Sequence, residues 1–285
     1  MHELHMLARA SRELQAICFG PSNSHREDAQ HRLLCGPGPG NAHPRVLAKM
    51  GLPQVGHLDP YFLELMEEIK ALLRYSFQTE NEFTIPVSGT GSAAMEACVC
   101  NMVEPGDTIL VGVNGYFGNR MCDMASRYGA KVVTMNKPWG EVFSYDEIKA
   151  ALLQHKPRLL GLVHAETSTG ACQPLDGVGD LCHKHNCLLI GDFVTSISGV
   201  PVYLDKWGVD AAYAGTQKAL SCPPGVAPLS FSPRAMDKLM KRKTAVTNWY
   251  PAITNLMALS RAQACKQRLR PRTHATVSSR ADPPR

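Results

Sequence analysis

Cys187-Leu188-Leu189-Ile190-Gly191-Asp192 is a short apolar run closed by a carboxylate. A run of this length without polar alternation reads as a buried strand, of the kind found in a parallel sheet that helices cover. Working outward from it, similar apolar runs stand at about 83–87, 108–113, 131–135, 158–163, 210–214 and 226–231. The stretches between them are long enough for helices at about 91–103, 116–128, 144–154 and 176–185. This alternation predicts an α/β architecture, a mostly parallel sheet with helices on both faces. Ahead of it, Asp59-Pro60 offers a cap and a first-turn proline for a helix through about Phe77, with Leu63, Met66, Ile69, Leu72 and Leu73 at helical spacing. Residues 35–57, rich in Gly and Pro, are predicted to form an irregular arm.

The same strand carries the chemistry. Twenty-six residues after Asp192 comes Lys218, in Ala214-Gly215-Thr216-Gln217-Lys218-Ala219-Leu220, and about a hundred residues before it Ser88-Gly89-Thr90-Gly91-Ser92 opens a helix. Taken singly, a lysine after a strand is most often solvated, an Asp at a strand end is a turn residue, and a Gly-Ser run is a plain helix start. Their order and spacing point instead to pyridoxal 5'-phosphate. That cofactor needs an amine to hold it as an aldimine, an acid to keep its ring nitrogen protonated, and a helix N-terminus for its phosphate. A dinucleotide fold is the competing reading, because Gly89-x-Gly91-x-x-Ala94 follows a strand and opens a helix. The next strand should then end in an acid for the ribose hydroxyls, and here it ends in Asn114-Gly115.

Longer motifs carry a family resemblance. They are Leu34-Cys35-Gly36-Pro37-Gly38-Pro39-Gly40-Asn41, Ser88 to Ala97, Glu104-Pro105-Gly106-Asp107 and Val111-Gly112-Val113-Asn114-Gly115-Tyr116-Phe117-Gly118. Further on come Glu166-Thr167-Ser168-Thr169-Gly170, Gln173-Pro174-Leu175-Asp176-Gly177, and Gln217 to Leu220 followed by Pro223-Pro224-Gly225. From about residue 33 to about 257 the chain resembles the class V aminotransferases of fold type I, and within them the alanine–glyoxylate and serine–pyruvate group. The resemblance implies Lys218 as the internal aldimine and as the base that moves the α-proton, with Asp192 paired to the ring nitrogen. It implies backbone N–H groups of Thr90 and Gly91 at the phosphate, Ser92 beside them where some relatives have His, and Gln217 opposite. Phe117 falls where relatives stack an aromatic on the ring, and Thr167 near the ring hydroxyl. Gly40 and Asn41 lie on the arm that approaches the substrate carboxylate. After Asp192 the family has small residues, whereas this chain has Phe193.

The implied activity is transamination of a small amino acid, alanine or serine, with a 2-oxo acid, glyoxylate or pyruvate, by ping-pong exchange. The implied assembly is a homodimer in a full-length form, with the arm crossing the subunit boundary, and the implied compartment is a peroxisome or mitochondrion. A phosphonate aminotransferase is a further class V alternative. A cysteine desulfurase is disfavoured because Gln217 stands where that group has His. Relatives continue into a small C-terminal α/β domain, and the resemblance fades near Asn255-Leu256-Met257. The chain is therefore expected to lack most of that domain, and a truncated protein that holds cofactor without turning over is the non-enzyme alternative.

Composition narrows the remaining classes. With 285 residues and 44% apolar content, the chain can bury one large core or one core plus a small partner domain. No run of 18 or more apolar residues occurs, so no membrane span is predicted. The first thirty residues lack a secretory core, and Glu3, Glu13, Glu27 and Asp28 beside Arg9, Arg12 and Arg26 are more acid than mitochondrial presequences usually carry. Ten cysteines in scattered core segments read as reduced thiols, and Cys182-His183-Lys184-His185-Asn186-Cys187 reads as a helix end running into a strand rather than a zinc site. The net charge of +5 hides an asymmetry: residues 261–285 carry +6, which leaves −1 on the rest and argues against nucleic acid as a partner. The predicted divisions are an N-terminal extension over 1–32, the arm over 33–57, a cofactor-binding domain over 58–257, and a basic tail over 258–285 expected to be disordered.

Overall fold

The structure, a computed structural model, describes residues 32–253. The basic tail and nearly all of the N-terminal extension lie outside the described residues. Seven strands form one sheet: β1 (Phe83–Gly89), β2 (Thr108–Val113), β3 (Lys131–Asn136), β4 (Leu159–Val163), β5 (Leu188–Asp192), β6 (Ala211–Tyr213) and β7 (Gly225–Phe231), in the order β1-β7-β6-β5-β4-β2-β3. Each apolar run singled out in the sequence is one of these strands. Strands β2 to β6 pair in parallel, while β7 pairs antiparallel with both β6 and β1. Strand β1 therefore runs with β6, and only β7 runs against the sheet.

The helices are α1 (Pro44–Met50), α2 (Pro60–Phe77), α3 (Gly91–Met102), α4 (Tyr116–Arg127), α5 (Tyr145–His155), α6 (Val178–Lys184), α7 (Leu204–Trp207) and α8 (Pro233–Met240). Strand residues alternate between two cores because successive side chains point to opposite faces. Ile109, Val111, Ile190, Ala211 and Tyr213 meet Ala94, Met95 and Cys98 of α3 and Met121 of α4 on one face. Leu110, Leu160, Leu162, Leu189 and Ala212 meet Ile148 and Leu152 of α5, Leu181 of α6 and Trp207 of α7 on the other. The 182–187 stretch is the end of α6 followed by the entry to β5, and His183 Nε2 there lies 2.9 Å from Asp210 Oδ2.

Two parts of the sequence behave differently from expectation. The arm contains α1, because Pro44 stands at the first helical position and His43 Nδ1 accepts from the Arg45 N–H at 3.2 Å. Helix α2 starts where expected, with Asp59 Oδ1 accepting from the Tyr61 N–H at 2.9 Å. Of its apolar stripe only Leu73, joined by Phe77, is buried, and Leu72 stays exposed. Leu47, Met50, Leu52 and Leu58 on or beside the arm are exposed too. No helix among the described residues is long and apolar enough to cross a membrane.

Candidate active site

Strands that run together end together, and in open α/β sheets the carboxyl ends of the strands are where ligands bind. Asp192 is the last residue of β5, with Val163 of β4 and Tyr213 of β6 as its register partners. It is 2% exposed. Its Oδ1 accepts from the Val194 N–H at 2.9 Å and its Oδ2 from the Tyr213 hydroxyl at 2.8 Å. Burial pushes this carboxyl up to about 6 against those two hydrogen bonds, with the Glu166 charge raising it further and the Arg120 charge opposing. Among the described residues no cation lies within ion-pair distance of it.

Lys218 follows β6 in a turn. Its Nζ donates to the carbonyl of Pro37, so the arm lies over the lysine. Gly38, at φ 125°, passes so close that a Cβ there would stand 2.5 Å from Lys218 Cδ and Nζ, and only glycine adopts that backbone without strain. The Gly40 N–H donates to the Gln217 carbonyl at 2.9 Å and the His43 N–H to that of Ser221 at 2.9 Å, which pins the arm to the lysine turn. Asn41 turns back on the arm, its Oδ1 accepting from the Leu34 N–H at 2.7 Å. Burial holds the Lys218 ammonium below its ordinary value, and the Asp192 charge works the other way.

The N-terminus of α3 arrives at the same edge. Thr90 caps it with extended backbone and no side-chain cap bond. Val194 is the spacer between this helix and the lysine turn: a Cβ on Gly91 would lie 2.7 Å from one Val194 methyl, and a Cβ on Gly215 would lie 3.3 Å from the other and 2.7 Å from Gln217 Oε1. That Gln217 oxygen is buried without a hydrogen-bond partner. An unpaired buried amide costs free energy unless something else bonds to it.

Helix α4 starts at Gly115, which has no side chain with which to cap it. Glu166 does so from outside, its Oε2 accepting from the N–H groups of Phe117 at 3.1 Å and Gly118 at 3.4 Å. Ser168 completes the cap by accepting from the Tyr116 N–H at 2.9 Å and donating its hydroxyl to Glu166 Oε1 at 2.6 Å. The Arg120 guanidinium lies 4.6 Å from the Phe117 ring centre and 5.0 Å from that of Tyr116, and its Nη1 donates to Ser92 Oγ at 2.6 Å. The Thr167 hydroxyl bonds to that of Thr195. Phe193 turns to the other face of the sheet, buried edge-on to Phe77 and stacked on Trp207, so its bulk stays out of the site.

The structure therefore brings Gly91, beside Thr90, together with Asp192 and with Gly215 of the turn that carries Gln217 and Lys218, onto Val194, brings Gly40 onto the lysine turn, and links Ser92 to Phe117 through Arg120. Asn41 bonds back to Leu34 within the arm. Four participants carried no assignment in the sequence: Tyr213, Glu166, Arg120 and Thr195. Arg120 was within reach, since it stands three and four residues after Phe117 and Tyr116 on a predicted helix. Tyr213 was not, because nothing in a sequence states which strand lies beside β5. Chemically, the edge offers an amine for a carbonyl, a buried acid for a cationic ring, and a helix terminus for an anion.

This sheet, with its strand order and its site at the carboxyl edge, is the large domain of the pyridoxal-phosphate-dependent transferases of fold type I. The chain belongs to the class V aminotransferases: the Aminotransferase class-V family matches residues 47–248. It is 48% identical over 228 residues to the alanine–glyoxylate aminotransferase of Rattus norvegicus, which covers 80% of this chain and 55% of the relative. It is 41% identical over 212 residues to the (S)-ureidoglycine–glyoxylate transaminase of Bacillus subtilis, covering 74% and 51%. Among solved structures, the alanine–glyoxylate aminotransferase from Nostoc sp. superposes with a TM-score of 0.82 at 58% identity, over 84% of this chain and 63% of that one. The chain thus spans little more than half the length of the curated relatives it matches.

Proposed function

We propose that this chain holds pyridoxal 5'-phosphate at the carboxyl edge of its sheet and serves transfer of an amino group from a small amino acid to a 2-oxo acid. The observation that carries the reading is the convergence of Asp192, the α3 N-terminus at Gly91 and the lysine turn at Gly215 on Val194, with the Asp192 charge acting on Lys218 of that turn. The cofactor, when bound, supplies an electron sink for the α-carbon of the amino acid. Lys218 supplies the amine that holds the cofactor's aldehyde, and then the base that takes and returns the α-proton. A partly desolvated lysine suits that second role, because burial lowers its basicity, the direction a proton-moving amine needs. Asp192, without a cation of its own, pairs with the protonated ring nitrogen.

The residues present fit the cofactor at its other end too. Thr90, Gly91 and Ser92 offer the first turn of α3 to the phosphate, and Gln217 has a buried amide end without a protein partner. A half-turn of that amide presents its NH₂ in place of the oxygen. Phe117 stands for the ring face and Thr167 for the ring hydroxyl, while Gly40 and Asn41 line the approach for the substrate carboxylate. The names of the rat and Bacillus subtilis relatives share glyoxylate and differ in the amino donor, alanine against (S)-ureidoglycine, which favours glyoxylate as acceptor and makes the donor the variable, with alanine or serine the reading the family resemblance favours. The exposed apolar residues of α1 and α2 support a homodimer that covers them.

The deciding experiment incubates the protein with pyridoxal phosphate, reduces with borohydride, and maps the peptides. The expected result is one stable adduct, on Lys218. An adduct confined to another lysine, or none on folded protein, removes the proposal.

A further inference from the structure

Arg120 has no part in the assignments above, yet it touches three of their components. Its Nη1 donates to Ser92 Oγ at 2.6 Å, its guanidinium lies over the rings of Phe117 and Tyr116, and its charge reaches Asp192. Its place follows from helix geometry: Phe117 and Arg120 are three residues apart on α4 and share a face. The guanidinium is planar, so it rests on the aromatic face while its edge points at α3.

A serine hydroxyl has one proton to give and can accept twice. When Ser92 Oγ accepts from Arg120, its own proton is turned elsewhere, and among the described residues no acceptor takes it. Ser92 is the second residue of α3, in the turn whose free N–H groups and helix dipole favour an anion. We propose that Arg120 is a positioning residue for a phosphate group at the α3 N-terminus, aiming the Ser92 hydroxyl at the anion and adding a positive charge behind it. A charged donor polarises the hydroxyl it bonds to, which strengthens the bond that the hydroxyl then makes. The inference rests on the proposed cofactor reading and adds to it a cation and a relay.

The test compares pyridoxal phosphate with pyridoxal, which lacks the phosphate, in equilibrium binding to the whole chain. Arg120→Met is expected to weaken pyridoxal phosphate about ten- to a hundredfold, the span of a hydrogen bond to a charged group, and to weaken pyridoxal far less. Ser92→Ala should show the same selectivity, and the double variant should be no weaker than Arg120→Met alone, since both changes cut one relay. Arg120→Lys keeps the charge without the planar fork and should recover part of the loss. Should Arg120→Met fail to fold, Ser92→Ala and Arg120→Lys carry the comparison. Equal losses for both ligands would show that Arg120 merely props Phe117, and additive losses would break the relay; either result overturns the proposal. Failure of the unaltered protein to bind pyridoxal phosphate would instead overturn the cofactor reading itself.

Discussion

Two buried aspartates stand at opposite edges of the same sheet. Asp210, at the entry to β6, is 1% exposed and surrounded by donors: the Leu189 N–H at 2.9 Å, the Ser232 hydroxyl at 2.9 Å, His183 Nε2 at 2.9 Å and Arg234 Nε at 3.6 Å. Asp192, at the exit of β5, is as deeply buried but has only a backbone N–H and a tyrosine hydroxyl. Taking a carboxylate out of water costs several kcal/mol unless partners compensate. At the amino edge the chain supplies them, and Asp210 ties α6, β5 and α8 together. At the carboxyl edge it leaves them out, which is what a site for a cationic ligand requires.

The largest expected effect lies at the saturated edge. Asp210→Ala takes the acceptor from the buried Leu189 N–H, the Ser232 hydroxyl, the His183 ring and Arg234 at once and should lower unfolding stability by about 3–5 kcal/mol in urea melts. A loss under 1 kcal/mol would mean that the donors around Asp210 find water instead, and the contrast between the edges would fail.

The poised edge should respond to pH with the opposite sign from an ordinary ion-paired carboxylate. Folded Asp192 keeps its proton to about pH 6, whereas in the unfolded chain the ordinary value is 3.8. The unfolded state therefore holds fewer protons between those values, and this group's contribution to stability falls as pH rises through the window, by about 3 kcal/mol in all. Asp192→Asn should remove that fall and leave the cofactor-free protein more stable than its parent at pH 7. Parallel pH–stability curves for the two proteins would refute the unbalanced charge at Asp192.

The next effect is steric. Gly115 has ordinary extended backbone, but a Cβ there would stand 2.3 Å from Glu166 Cγ and 2.6 Å from Ser168 Oγ. Gly115→Ala should cost about 2 kcal/mol in thermal or urea unfolding, because the external cap of α4 has to move. Unchanged stability would show that Glu166 yields freely and does not hold Phe117 in place. The smallest change is Tyr213→Phe, which removes one donor from Asp192. It should move the carboxyl further up from about 6 and shift stability by only about 1 kcal/mol. Carboxyl NMR titration reads that shift, and a downward movement would contradict the hydrogen bond.

Much of the scaffold was legible because its strands are uninterrupted apolar runs and its helices open on recognisable caps. Asp59 before Pro60, and Ser144 bonded to Glu147 in a capping box, act within a few residues. Helices α1, α7 and α8, seven, four and eight residues long, show too little periodicity to be read by pattern, whereas the equally short α6 is placed by the two strands that flank it. Phe193, where the family has small residues, leaves the site unobstructed for a reason that strand geometry gives. Its neighbour Asp192 faces the site, and strand alternation alone would send Phe193 to the opposite face. Gly191 leaves the room it needs there, since a Cβ on Gly191 would lie 2.4 Å from the Phe193 ring.

What the sequence by itself determined is the set of local elements, the order in which they come, and the residue types that this chemistry needs: an amine, an acid and a helix opening. All of these depend on spacing within one segment, where backbone geometry sets which side chains share a face. The tertiary structure alone decided which of them meet. Tyr213 reaches Asp192 because β6 pairs with β5 in that register, Glu166 caps a helix that begins 50 residues earlier, and Lys218 lies under Pro37 of the arm, 181 residues away. Such contacts arise from strand order and packing, where the free energy of burying two cores selects partners that no local pattern encodes.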